Sequence, residues 1–288
     1  MLIKMHGTEN TFYLLDLQEL HMTDEEKRTL TIALCQDGSD GVLFVCDSDI
    51  HIAKMRIFNA DGSEPEMCGN GLRCVARYVL EKYDIDEAVI ETQKTAYEVK
   101  SVDDFHGIRG ITIKMYPVKA MDEEELESFD KLYELSFNYY NVSNPHVVAI
   151  KDEIVDDNLL REIGMNANRH FEEGMNVNIL TILDDDRIYV RTYERGVGIT
   201  KSCGTGMTSS SVHYAITKNV FDQPIEVYND GGMIECLVKK ETLDYSVLFT
   251  GNATYLSNHE MDGTLIDAYD EQKRYKEFYN ETRKSISN

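Results

Sequence analysis

Residues 66–74 read EMCGNGLRC, a cysteine set directly before Gly-Asn-Gly and an apolar stretch of helical character, and residues 202–206, SCGTG, repeat the device. Two Cys-Gly-polar-Gly runs in one chain are metal ligands, a disulfide, or two copies of one catalytic element. Cys68 and Cys74 are spaced wrongly for a Cys-x-x-Cys knuckle, and no second close Cys/His pair completes a zinc set. No metal site is expected. A disulfide is not needed by a chain of 288 residues expected to be cytoplasmic. The third reading requires the surroundings of the two cysteines to be duplicated as well, and they are.

Nine residues before Cys68 stands Asn59, ending the strand-like run MRIFN; nine before Cys203 stands Glu194, ending RIYVRTYE. Twenty-seven before each cysteine stand Gly41, opening GVLFV, and Asn176, opening NVNIL. Fifty-eight before Cys68 is Asn10, in NTFYLL, and fifty-nine before Cys203 is Asn144, in NPHVVAI. Three landmarks at nearly equal offsets from the two cysteines indicate an internal duplication. Its halves are drawn at 1–117 and 131–256, joined by the charged segment MDEEELESFD (121–130), with a charged helical tail at 257–288. The runs TFYLLDL, GVLFVCD, GIRGITIKMYP, HVVAI, MNVNILTILD, EVYN and CLVKK also read as strands. Two helices are expected directly after the cysteine motifs, Leu72 to Lys82 and Met207 to Lys218, and a peripheral helix over 266 to about 284.

Composition bounds the function. Hydrophobic residues make up 42% of the chain, enough for a packed core. The formal net charge of −23 argues against nucleic acid or an anionic membrane as partner. No apolar run approaches the length of a transmembrane helix, and MLIKMHGTENTF does not read as a signal peptide, so a cytoplasmic location is expected. Of the six cysteines, Cys35, Cys46, Cys74 and Cys236 are expected to pack as small hydrophobes.

A strand–loop–helix unit presents its helix N-terminus at the loop, where backbone N–H groups lack intrahelical partners and carry partial positive charge. Two such termini facing one cleft would hold a carboxylate without arginine. A cysteine at each would have its thiolate favoured. One thiolate would then remove the α-proton of an amino acid while the opposed thiol delivers a proton to the other face, and no cofactor is needed.

At this point the residues resemble a family. RIFNADGSEPEMCGNGLRC (56–74) and ERGVGITKSCGTG (194–206) resemble the two cysteine motifs of diaminopimelate epimerase, and KMHGTENTF (4–12), SNPHVV (143–148) and MNVN (175–178) resemble its other substrate-contacting segments. The resemblance spans about residues 1–256 and implies an α/β fold of two pseudo-twofold-related halves, each a mostly antiparallel sheet curled round a central helix. It also implies a homodimer and a pyridoxal-independent exchange of LL- and meso-diaminopimelate, for lysine and cell-wall synthesis. Carried over, Cys68 and Cys203 are the two acid/bases, and Gly69, Asn70, Gly204 and Thr205 hold the reacting carboxylate. Asn59, Asn176 and Arg195 take the distal carboxylate, while carbonyls of Glu194 and Arg195, with Asn59, take the distal ammonium. Asn10, Asn144 and His146 line the site and orient the α-amino end or the bases.

The chain departs from the family pattern in three places. Glu9-Asn10-Thr11-Phe12 stands for Gly-Asn-Asp-Phe, Gly198-Ile199-Thr200 for Gly-Glu-Thr, and Gly251-Asn252-Ala253 for Gly-Pro-Ala. The alternatives are a two-cysteine racemase of another amino acid, proline or hydroxyproline among them, and a non-catalytic amino-acid-binding protein. Arg195 speaks for a substrate with a second head group, and retention of both cysteines speaks for catalysis. A cysteine hydrolase would leave the second matched thiol unexplained.

Overall fold

The computed structural model describes residues 1–18, 20–121 and 126–286. In chain order the first elements are β1 (Leu2–Gly7), β2 (Asn10–Asp16), α1 (Asp24–Leu34), β3 (Gly41–Cys46), β4 (Ala53–Asn59), α2 (Gly69–Tyr83), β5 (Glu87–Glu91), β6 (Ala96–Phe105) and β7 (Ile108–Met121). There follow α3 (Leu126–Tyr133), β8 (Phe137–Asn141), β9 (Pro145–Ile150), α4 (Asp157–His170), β10 (Asn176–Ile182), β11 (Arg187–Glu194), β12 (Gly198–Thr200) and α5 (Gly204–Lys218). The chain ends with β13 (Pro224–Asn229), β14 (Gly232–Lys240), β15 (Tyr245–Asn252), β16 (Thr254–His259), β17 (Leu265–Ala268) and α6 (Glu271–Ile286). The fold is mixed α/β. Two compact units divide it, Met1–Ile113 with Thr250–Ser287, and Lys114–Phe249.

The units share one topology. In the first, β1–β2 is an antiparallel hairpin, β2–β3 a parallel step, β3–β4 antiparallel, β4–β5 parallel and β5–β6 antiparallel. In the second, β8–β9, β9–β10, β10–β11, β11–β13 and β13–β14 repeat that succession. Each parallel step needs a crossover, and α1, α2, α4 and α5 supply them. The landmarks of the duplication keep their registers: Phe12 lies opposite Gly41 and His146 opposite Asn176.

The helix after each cysteine is the centre of its unit. Every residue of α2 from Gly69 to Arg77 is buried, and the helix touches β1 through β6. In α5 every residue from Gly206 to Ala215 is buried, against β8 to β11, β13 and β14. A helix buried all round has no polar face, and α5 manages this with small hydroxyl residues. Thr208, Ser209 and Ser211 each return their hydroxyl to the carbonyl four residues back, at 2.8–2.9 Å. Both helices begin at the first glycine, three residues earlier than periodicity predicts.

Three helices go beyond the sequence expectation. α1 starts at a capping box in which Thr23 and Glu26 satisfy one another's backbone, a signal visible as Thr-x-x-Glu. α4 starts at Asp156, whose carboxylate accepts from Asn158 N and Leu159 N. α3 corrects the reading of 121–130 as a linker: residues 122–125 lie outside the described residues, Met121 ends β7, and 126–130 turn helical with Phe129 fully buried among Phe137, Phe171 and Ile163. The tail is likewise no peripheral appendage. Tyr275 and Phe278 of α6 are buried, and Glu271 pairs with both terminal nitrogens of Arg77 in α2 at 2.7 Å, within the same unit. Among the described residues no helix is long and apolar enough to cross a membrane.

Candidate active site

In the first unit Cys68 is the N-cap of α2, in extended conformation, and its sulfur accepts from Gly71 N at 3.5 Å. The thiol donates to Asn10 Oδ1 at 3.8 Å, and Asn70 Nδ2 reaches the same oxygen at 3.4 Å. Behind them lies Arg73, fully buried one turn into the helix. Its guanidinium donates to Asn70 Oδ1 at 3.0 Å, to Thr8 Oγ1 at 3.2 Å and to the Asn252 carbonyl at 2.9 Å. Asn70 is therefore held with its amide oxygen toward the arginine and its N–H groups toward Asn10. The cysteine is thus backed by a buried cation and a set of amides.

In the second unit Cys203 is the N-cap of α5 and its sulfur meets Thr205 Oγ1 at 3.6 Å. Asn144 Nδ2 donates to Thr205 Oγ1 at 3.4 Å, and Asn144 Oδ1 faces His146 Nε2 at 3.0 Å. Asn178 Nδ2 approaches His146 Nδ1 at 3.1 Å, and the same amide is fixed by Val147 O and Thr192 Oγ1. A carboxamide nitrogen can only donate, so Nδ1 accepts and the proton of His146 sits on Nε2. Burial and, after it, the Arg195 charge lower the His146 pKa to about 3, against the hydrogen bond from Asn178, so the ring is neutral. The Glu194 carboxyl is hydrogen-bonded to Cys203 and accepts from Thr200 Oγ1 at 2.5 Å. Burial raises it above the usual carboxylate range, with both hydrogen bonds opposing.

A comparison with known families decides what this pair of half-sites belongs to. The family model described as diaminopimelate epimerase matches residues 2–120 and 138–256, one segment for each run of duplicated topology. The chain belongs to the diaminopimelate epimerase family. It is 43% identical to the diaminopimelate epimerase of Clostridium acetobutylicum, over 99% of this chain and 95% of that one. To that of Listeria monocytogenes it is 35% identical, over 98% and 97%. Among solved structures it shares its fold with a PhzF-family phenazine biosynthesis protein of Bacillus anthracis (TM-score 0.68, 16% identity, 88% of this chain and 96% of that one). A hydroxyproline epimerase of Agrobacterium vitis shares it too (TM-score 0.61, 12% identity, 93% and 92%).

For this diaminopimelate epimerase family member, the residues expected from sequence fall into four groups. Cys68, Gly69, Asn70 and Asn10 gather at the start of α2, and Cys203, Gly204, Thr205, Asn144, His146 and Glu194 at the start of α5. Asn176 and Arg195 form a pair of their own: Asn176 Oδ1 accepts from Arg195 N at 2.9 Å, and the exposed guanidinium donates to Glu173 O at 2.7 Å. Asn59 stands apart at the end of β4, with its carboxamide on Ser63. His146 is linked to the cysteine of its unit through Asn144 and Thr205. Sequence reasoning missed Arg73, Thr8, His6, Asn252 and Asn178, and the side chain of Glu194. Arg73 carried a signal, since a guanidinium between Leu72 and Cys74 in a buried helix must find partners inside.

Cys35, Cys74 and Cys236 are buried, and Cys46 is half-buried at the end of β3. Burial pushes the Cys74 thiol up to about 12 and that of Cys35 up to about 11, so both stay protonated.

Proposed function

We propose that this chain interconverts LL- and meso-diaminopimelate by a two-thiol mechanism. The observation that carries the reading is that the duplicated topology sets a cysteine as N-cap of the buried central helix in each unit. In this mechanism both cysteines address one α-carbon, from opposite faces. The thiolate of one takes the α-proton, the electron pair passes into the α-carboxylate, and the thiol of the other returns a proton to the opposite face. The first-turn N–H groups of Gly69, Asn70, Gly204 and Thr205 hold that carboxylate in the ground state and stabilise the charge it gains. Glu194, hydrogen-bonded to Cys203, is the group that trades a proton with that thiol between turnovers. Arg195 and Asn176, with Asn59, receive the distal carboxylate: the guanidinium gives a planar fork and the amides both donor and acceptor. Asn59 and the carbonyls of Glu194 and Arg195 receive the distal ammonium. The same reading makes the protein a cytoplasmic homodimer serving lysine and cell-wall precursor synthesis.

The test is incubation of metal-stripped protein with LL-diaminopimelate in deuterated water, without pyridoxal phosphate. Conversion to the meso isomer with deuterium at one α-carbon is expected, and proline, glutamate and lysine should remain unlabelled. Activity that appears only with pyridoxal phosphate or a metal overturns the two-thiol reading, and faster labelling of proline moves the substrate assignment. Mild oxidant should link Cys68 to Cys203 and abolish turnover, reversibly with dithiothreitol and less readily with substrate present. Inactivation with both of these thiols still alkylatable would count against their meeting on one substrate.

A further inference from the structure

The hairpin that brings Asn10 to Cys68 is built on an unfavourable turn. Gly7 pairs with Asn10, so Thr8 and Glu9 are the entire turn, and both have left-handed backbone, φ 48° and 60°. A two-residue turn with both residues left-handed suits the twist of a hairpin, but it selects Asn and Gly. A β-branched threonine there is strained, and such backbone persists only where its surroundings over-determine it.

Those surroundings include the C-terminal helix. The Thr8 side is held inside the unit core: its N–H donates to Asn252 Oδ1 at 2.8 Å and its hydroxyl to Asn70 Oδ1 at 3.0 Å. The Glu9 N–H donates to His6 Nδ1 at 3.2 Å. For Nδ1 to accept from a backbone amide, the proton of neutral His6 must sit on Nε2. There it faces Gln272 Oε1 of α6 at 2.9 Å. Tyr275, one turn further along α6, lies edge-on to the buried imidazole at 4.3 Å between ring centroids. Glu271, the neighbour of Gln272, is fixed by two bonds to Arg77. Gln272, Tyr275 and Glu271, the α6 residues in this set, lie beyond the segments matched by the family.

We propose that α6 is a clamp on this turn, with Gln272 as a positioning residue that acts through His6 on Thr8–Glu9 and so on the placement of Asn10 against Cys68. The inference rests on Cys68 being an acid/base of the proposed reaction, but its structural half is testable without turnover. Gln272→Leu removes the acceptor while leaving Glu271 and Tyr275 in place; Gln272→Glu keeps an acceptor; Glu9→Gly removes part of the need for a clamp, because glycine takes left-handed backbone without strain.

The experiment compares the parent, these single variants and the Gln272→Leu/Glu9→Gly double variant, all full length. It reads hydrogen exchange at the Glu9 amide, alkylation of Cys68 by iodoacetamide, and kcat and KM for LL-diaminopimelate. In Gln272→Leu the Glu9 amide should exchange about tenfold faster, since local opening costs less, and the alkylation rate of Cys68 should change. Its kcat should fall about fivefold or more with little change in KM, as expected for a misplaced group beside an acid/base. Gln272→Glu should resemble the parent, and the double variant should regain most of the lost kcat. Unchanged exchange in Gln272→Leu, a change in exchange without one in kcat, or no recovery in the double variant overturns the proposal. If the parent itself turns over no diaminopimelate, the proposed function fails. Exchange and alkylation then judge the clamp alone: altered in Gln272→Leu and restored in the double variant they support it, and unaltered they overturn it.

Discussion

The starts of α2 and α5 are the same device in different polar settings. Each is a cysteine N-cap, a Gly-polar-Gly first turn and a helix buried by the strands around it. Behind Cys68 stands the buried guanidinium of Arg73, reached through Asn70, whereas Cys203 is hydrogen-bonded to the carboxyl of Glu194. The position equivalent to Arg73, five residues after the cysteine, is Thr208, whose hydroxyl merely returns to Gly204 O. Duplication thus preserved the frame and the thiol, while the residues that surround the thiol diverged. In the proposed two-thiol reaction one cysteine takes a proton while the other gives one, and these surroundings are where the two half-sites differ.

The comparison is most sharply tested at the thiols themselves. Cys68→Ala and Cys203→Ala should each lower epimerisation by about a thousandfold or more, the usual scale for removing an acid or base. Equal losses would mean equal necessity despite unlike settings, and a variant that retains near-parent kcat/KM would remove its cysteine from the mechanism. Next is Arg73→Leu against Thr208→Val. The first strips the cation from a buried set of hydrogen bonds to Asn70, Thr8 and Asn252 and should cost roughly 3 kcal/mol in urea unfolding. The second loses one hydroxyl bond, roughly 1 kcal/mol. Equal costs would show that the buried cation contributes nothing particular to its unit.

Acid should destabilise both units through buried histidines. Burial lowers the pKa of His6 to about 4, His146 to about 3 and His213 to about 4. Each of these groups is protonated in the unfolded chain below about pH 6.5 and stays neutral in the folded one. The unfolded state therefore binds more protons, and stability falls as pH drops from about 6.5 toward 4. The slope is about 1.4 kcal/mol per pH unit for each histidine. Glu194, raised in the folded state, opposes this by at most one proton. Denaturant unfolding at pH 7, 6 and 5 measures the slope, and His213→Phe should reduce it by one proton's worth. An unchanged slope in that variant would show that His213 is charged in the fold.

The smallest expected contrast concerns the third residue of each motif after the cysteine. A Cβ at Gly206 would come within 2.3 Å of Asn178 Oδ1, whereas one at Gly71 would meet the Leu43 methyl at 2.7 Å. Asn178 is fixed by Thr192, Val147 and His146, but a leucine methyl can rotate away. Gly206→Ala should therefore cost about 1–2 kcal/mol from overpacking, while Gly71→Ala should be near neutral, its contact offset by the better helix propensity of alanine. Equal urea midpoints for the two would show that Asn178 yields as readily as Leu43.

The strands read from alternating or continuous apolar runs are present, and all of them but β7 pack against a central helix. α1 and α4 escaped notice although their caps, Thr23 with Glu26 and Asp156, stood in the chain. α3 was hidden because a charged stretch contains one buried aromatic, Phe129, whose partners Phe137 and Phe171 come from elsewhere. The divisions between the compact units fall within β7 and β15, where no loop or change of composition marks them. Two departures from the family pattern, at Glu9 and Asn252, are far apart in sequence and meet at one turn, of which Glu9 is a member and where Asn252 receives the N–H of Thr8.

The sequence by itself determined the duplication, the family and the two cysteine-capped helix starts. These rest on local order: a cap, two glycines and a following helix are specified by neighbouring residues, and their repetition at equal offsets is visible along the chain. Only the tertiary structure decided that Arg73 is a buried cation, that the Glu194 carboxyl bonds to Cys203, and that the charged tail reaches the turn beside Cys68. Each of these joins groups from separate elements in a buried setting. Whether a polar side chain is buried, and which partner it finds there, depends on what the rest of the unit packs around it.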